Sequence, residues 1–248
     1  DKEGPIDDSW ECPVSYVGQV RDLEAVWAGL KIGRAIRDVL EQIVVSMRLH
    51  RGLRPEALVR QAPELAELRR QYDLASFIRS YYALLVWEAN SRHRAETLLP
   101  LADLGLRIHG NDGWNRRIEG TPLQPCFAGQ TVAHHDLPRL FRNSQINVNM
   151  HHLQSSTSLN LRVFDVPASG GFLLTDYMPG LEKMFEIGKE IEVYHTPDEL
   201  REKVAYYLAH PEACREIALR GRARVLQDHT FANRWQTIRD ILKSEERG

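Results

Sequence analysis

The chain reads as an α/β protein, a Rossmann-like parallel sheet carrying a large helical insertion. Three observations predict this. Short β-prone runs alternate with helical runs through the second half of the chain, the pattern of a parallel, doubly wound sheet. Between residues 20 and 96 the strand signal almost vanishes and apolar residues fall at helical spacing. A β-prone run ahead of that stretch closes on Gly18, as the first strand of such a sheet would. The division expected is therefore residues 1–19 plus 97–248 as the sheet domain and 20–96 as the helical insertion.

The elements follow in order. Pro-Val-Ser-Tyr-Val-Gly, residues 13–18, is the first strand with a tight turn after it. Ile32, Ile36, Val39, Leu40, Ile43, Val44 and Met47 form one stripe of a long helix, broken by Gly52 and Pro55. A second helix is expected over 57–70 and a third through Leu74, Phe77, Ile78, Tyr81, Leu84, Leu85 and Trp87. Residues 104–109 alternate and stop at Gly110-Asn111-Asp112-Gly113, a strand and turn. Residues 136–143 read as helix and 146–150 as strand. A helix over 159–169 takes Ser158 as its N-cap and Gly170-Gly171 as its stop. Residues 172–175 are a strand, 181–185 a short helix and 191–194 a strand. Thr196-Pro197-Asp198-Glu199 opens the next helix in capping-box style. Helices over 211–227 and 231–243 close the chain.

Composition narrows the function. Lys plus Arg number 32 against 34 Asp plus Glu, a formal charge of −2, which excludes a strongly basic nucleic-acid footprint. No apolar run approaches the roughly 20 residues of a membrane span, and no signal-peptide pattern opens the chain. The three scattered cysteines, Cys12, Cys126 and Cys214, form neither a disulfide framework nor a zinc knuckle, so the cytoplasm is the expected compartment. The dinucleotide Gly-x-Gly-x-x-Gly, the P-loop and the Gly-x-Ser-x-Gly elbow are all missing. No Asp-x-Asp occurs, and the pairs His134-His135 and His151-His152 would point to opposite faces of a strand, so no metal and no cofactor is expected. The polar opening Asp-Lys-Glu-Gly-Pro-Ile-Asp-Asp, without Met, reads as a linker and suggests a fragment of a longer protein.

The most specific text is Ser158-Leu-Asn-Leu-Arg-Val-Phe-Asp-Val-Pro-Ala-Ser-Gly-Gly-Phe-Leu-Leu-Thr-Asp176. Together with residues 180–194, 199–211 and Gly221-Arg-Ala-Arg-Val-Leu-Gln-Asp-His-Thr-Phe-Ala-Asn-Arg234, it resembles the group 1 glycosyltransferases, in the branch of the spore maturation protein CgeB-like proteins. The resemblance covers 104 to about 242, takes in 13–18, and touches the helical region only loosely. It implies the C-terminal, donor-binding half of a GT-B fold. The N-terminal half, which shapes the acceptor site, has no counterpart in the sequence.

A nucleotide-sugar donor leaves behind a diphosphate, whose charge the protein must stabilise. The expected device is the hydroxyl-rich loop Ser155-Ser156-Thr157-Ser158 feeding a helix N-terminus at Leu159 and Asn160. Arg162 would pair with phosphate, or make only a surface salt bridge. Ligands of Rossmann-like sheets sit outside the carboxyl ends of the strands. This adds Gly18 and Gln19, Gly110 and Asn111, and the segment Asn149 to His152. Gly18 serves either a phosphate or a tight turn. His151 and His152 either donate to the diphosphate or are satisfied within the core. The resemblance further places Asp165, where related enzymes have Glu, on the ribose hydroxyls, and Gln130 to His135 near the base. It also places Thr157 where relatives carry a Glu near the donor sugar, which leaves the sugar and the stereochemical outcome open.

The expected activity is metal-independent transfer of a sugar from a nucleotide-diphosphate sugar to an acceptor that the sequence does not identify. The alternatives are a non-catalytic nucleotide-sugar-binding module and an interaction domain in cell-surface assembly. Arg34, Arg37, Arg48, Arg51 and Arg54 would be solvated or meet a partner. The helical region would pack on the sheet or mediate self-association.

Overall fold

In the computed structural model, residues 11–21, 23–129 and 132–245 are described. The opening linker and the pair Gln130 and Thr131 lie outside them. Five strands, β1 (Cys12–Val17), β2 (Leu106–His109), β3 (Ser144–Asn149), β4 (Leu173–Asp176) and β5 (Glu192–Tyr194), form one all-parallel sheet in the order β2-β1-β3-β4-β5. The predicted Rossmann-like α/β class is the observed one. The chain leaves β1 to one side for β2 and returns to the other side for β3. The topological switch point, where ligands of such sheets lie, is therefore between the carboxyl ends of β1 and β3.

Helices α6 (Gly113–Arg117), α7 (Leu137–Asn143), α8 (Arg162–Ala168), α9 (Pro197–Ala209), α10 (Pro211–Asp228) and α11 (Phe231–Glu245) follow β2. One core joins Val14, Ile108, Ile146 and Leu174 of the sheet to Trp114, Val204 and Ile217. The other sets Val17, Leu173 and Val193 against Phe141, Val163 and Val166. The strands are largely buried but carry polar side chains among the apolar ones, and these pair within the sheet, as where Ser15 of β1 donates to Asn147 of β3 (2.8 Å). The capping box of α9 forms: Thr196 accepts from the Glu199 amide, and the Glu199 carboxylate accepts from the His195 amide.

Between β1 and β2 lie α1 (Glu24–Gly29), α2 (Arg34–Leu49), α3 (Pro55–Gln61), α4 (Ala66–Gln71) and α5 (Leu74–Leu98). Their own core holds Leu40, Ile43, Leu58, Leu65, Ile78 and Leu85. The single helix expected over 57–70 is two. Ala62 precedes Pro63 and is driven into extended backbone (φ −63°, ψ 120°), which ends α3. α5 bends at Tyr81 (φ −121°) and runs past residue 96 to Leu98, which packs in the sheet's core, so the expected division falls inside a helix. Glu88 of α5, 3% exposed, accepts from Arg92 and from both terminal nitrogens of Arg117 in α6, fastening the helical region to the sheet domain.

Candidate functional site

The helix expected to start at Leu159 starts at Arg162, and its N-cap is Leu161, not Ser158. The reason is Asn160. Its amide donates to the Asn149 side chain (3.1 Å) and the Met150 carbonyl (3.1 Å), pinning the loop to the end of β3 before the helix can begin. Ser156, Thr157 and Ser158 are exposed in that loop and do not cap α8. Leu159 is partly buried against the core.

At the carboxyl end of β1, Gly18 and Gln19 are held by their backbones. The Gly18 amide donates to the His109 carbonyl (2.9 Å), and its carbonyl accepts from the Trp114 indole (2.8 Å). A Cβ on Gly110 would stand 2.3 Å from that same carbonyl, so the close approach of the two strand ends requires glycine there. The Asn111 amide is fully engaged, accepting from the Val20 amide (2.9 Å) and donating to the Val20 carbonyl (2.8 Å). Gly110 and Asn111 thus have structural work at the very end of β2.

Two cations converge beside them. Arg162 donates to the Val17 carbonyl (2.5 Å), and Arg94 of α5, 8% exposed, donates to the Gln19 carbonyl. Neither makes an ion pair among the described residues, although a guanidinium offers five donors. Burial, opposed only in part by Tyr16 and Asp165, pulls the Arg162 pKa down, and Arg94 adds to the depression. Asp165 is exposed one turn along α8, its carboxyl raised by partial burial against the opposing pull of Arg162.

A second group lies beyond β3. Asp176, at the end of β4 and 2% exposed, accepts from the His151 amide (3.0 and 2.9 Å), from His151 Nδ1 (2.6 Å) and from Arg51. Burial would raise its carboxyl, but His151 and Arg51 hold it below the usual range. His151 Nε2, His152 Nδ1, Arg51 Nε and Arg94 Nε are buried without a hydrogen-bond partner among the described residues. Burial, then Arg94 and His151, lowers the His152 imidazole. No set of three or more His, Cys, Asp or Glu gathers among the described residues as a metal site would.

Arg51 and Arg94 escape sequence reasoning. Both sit in helical text, and Arg51 was one of five arginines expected on solvated faces. Arg34, Arg37 and Arg54 are indeed exposed, whereas Arg48 and Arg51 turn inward.

Two histidines near this edge tie stability to pH. Burial, then the charge of Arg51, pushes His93 down to about 4. Burial, then Arg107, pushes His109 down to about 4. Both are neutral when folded and take up protons when unfolded below about pH 6.5. The stability they hold is complete above that value and drains away as the pH falls toward 4. Urea titrations should show a loss on the order of 3 kcal/mol between about pH 7 and about pH 5. A flat profile over that range would show that the two imidazoles are accessible.

The sheet order and the switch point define a Rossmann-like domain. Residues 92–240 match the model of the glycosyl transferase-like family, more than half of the chain, and the chain belongs to that family. Among solved structures it is similar to HepE of Anabaena in complex with UDP, at 14% identity over 70% of this chain and 54% of that one, TM-score 0.50. It is similar to HepE with UDP and glucose at 13% identity, over 92% of this chain and 71% of that one, TM-score 0.50. TarM of S. aureus matches at 13% identity over 58% of this chain, TM-score 0.46. The chain spans 30% and 32% of the two TarM structures and 54% of the HepE–UDP structure. No curated protein sequence matches.

Proposed function

We propose that this chain is the donor-binding domain of a metal-independent group 1 glycosyltransferase of the CgeB-like branch, acting in the cytoplasm on a nucleotide-diphosphate sugar. In the transfer, the bond from the sugar's anomeric carbon to the phosphate oxygen breaks. The nucleoside diphosphate leaves with the electron pair, and an acceptor hydroxyl takes the sugar as it gives up its proton. The observation that carries this reading is the pair Arg94 and Arg162, two cations at the switch point that backbone carbonyls hold and with which no carboxylate forms an ion pair among the described residues. Burying guanidinium groups without a counter-ion is costly, and a diphosphate offsets that cost. The same charge does the work that a metal would do for the leaving group.

In this reading His151 and His152 stand beside the diphosphate, Asp165 accepts from the ribose, and Gly18, Gln19 and the loop through Ser156, Thr157, Ser158, Leu159 and Asn160 border the donor. Gly110 and Asn111 shape the floor through Gly18 and Val20. Residues 1–19 and 97–248 would be the binding domain and 20–96 its insertion. All three cysteines are free and buried, which fits a reducing compartment. A second reading, a nucleotide-sugar-binding module without turnover, is favoured by one feature, Thr157 in the place of a carboxylate.

Calorimetry with UDP, GDP, ADP, CDP and dTDP tests the donor site. One diphosphate should bind selectively, and Asp165→Ala should weaken it by roughly 1–3 kcal/mol, the scale of a lost charged hydrogen bond. Unchanged affinity in the folded variant would remove Asp165 from the ribose. No binding of any diphosphate by the folded protein would overturn the proposal.

A further inference from the structure

The loop that leaves β3 is gripped from outside the sheet domain. The Leu153 amide donates to Asn90 Oδ1 (2.9 Å), and Asn90 Nδ2 donates to Gln154 Oε1 (3.0 Å) and to the Val86 carbonyl (2.8 Å) in its own helix. The next contact comes from the turn after α2. The Gly52 amide donates to the Leu153 carbonyl (2.7 Å). Gly52 takes left-handed backbone (φ +84°), and a Cβ there would stand 3.4 Å from Ser156 Cα. Its neighbour Arg51 reaches the same segment through Asp176, which carries both the amide and the ring of His151. Leu153 itself is buried in the helical region's core, not the sheet's. Both polar groups of the Leu153 backbone are thus satisfied by the helical region, which fixes the middle of the loop, while Asp176 of β4 holds His151 and Asn160 holds the far end. Arg51, Gly52 and Asn90 all precede residue 92, where the family match begins.

We infer that Asn90, with Gly52 and Arg51, positions the 151–158 loop of the donor site, so that the helical region is a working part of that site. Asn90 touches no ligand in this scheme. It acts through Leu153 and Gln154, and through them on His151, His152 and the hydroxyl loop. The inference rests on the donor-site reading above.

The experiment compares N90L, N90D and L58A. N90L keeps the branched shape of Asn90 and removes both its acceptor and its donor. N90D keeps the acceptor for the Leu153 amide but replaces the donor to Gln154 and the Val86 carbonyl with a second acceptor. Leu58 is fully buried in the helical core and makes none of the hydrogen bonds to the loop, so L58A weakens the same region without cutting the tie. Affinity for the diphosphate that binds best is read by calorimetry, and exchange of the Leu153 amide by mass spectrometry, both on protein shown to be folded. N90L should lose about tenfold or more in affinity and its Leu153 amide should exchange faster. N90D, which keeps the tie to Leu153 and loses the tie to Gln154, should lose less affinity than N90L, and L58A should melt earlier with its affinity unchanged. Affinity retained by N90L, or lost equally by L58A and N90L, overturns the inference and leaves the donor site standing. Failure of the wild type to bind any of the five diphosphates overturns the donor-site reading and the inference together.

Discussion

Asp176→Ala should cost about 3–5 kcal/mol of folding stability, the scale for removing one partner from a buried ionic cluster. The carboxylate is nearly sealed from solvent and holds Arg51, the His151 ring and the His151 amide at once. Its removal leaves a guanidinium, an imidazole N–H and a backbone N–H without an acceptor in a place water reaches poorly. The measurement is urea unfolding followed by circular dichroism, with Asp176→Asn beside it. The amide oxygen can still accept from His151, so the asparagine variant should lose less than the alanine. A loss below about 1 kcal/mol in Asp176→Ala would show that Arg51 and His151 find other partners and that the cluster is not a clamp.

Arg162→Ala should weaken nucleoside diphosphate binding by about ten- to a hundredfold, or roughly 1.5–3 kcal/mol, while leaving the corresponding nucleoside almost unaffected. The contrast between ligands is the informative part. Arg162 reaches the carboxyl end of β1 with only the Val17 carbonyl to receive it among the described residues, so its remaining donors suit a planar, two-oxygen acceptor. Equal losses for diphosphate and nucleoside would mean that the substitution merely loosened the strand end. Rescue by lysine should be partial, since one ammonium cannot repeat the fork.

The sheet was legible because its strands obey rules that act locally. Leu173 and Leu174 are apolar on both faces of the sheet, and Thr196 with Glu199 marks a helix start from four residues of text. The site was legible only as an address, the carboxyl ends of the strands. Ser158 misled because a serine before an apolar periodic run is ordinarily a cap, and nothing nearby reveals that Asn160 will bond across to Asn149 and Met150. Arg94 was hidden for a related reason. Ser-Arg-His-Arg-Ala-Glu reads as a wet helix face, and only the packing of α5 against the sheet domain turns one of those arginines toward Gln19. Side chains whose partners lie some seventy residues away leave no trace in spacing.

The course of α5 has a mechanical meaning. Past Tyr81 it is a single rod, at about 1.5 Å per residue roughly 25 Å long, with Leu85 and Ala89 seated among the helices and Leu98 seated under the sheet. Arg94 sits between those two anchorages. A rod fixed at both ends cannot pivot without uprooting one of them, so the helical bundle and the sheet melt as one cooperative block, and Arg94 keeps its aim for as long as both cores remain intact.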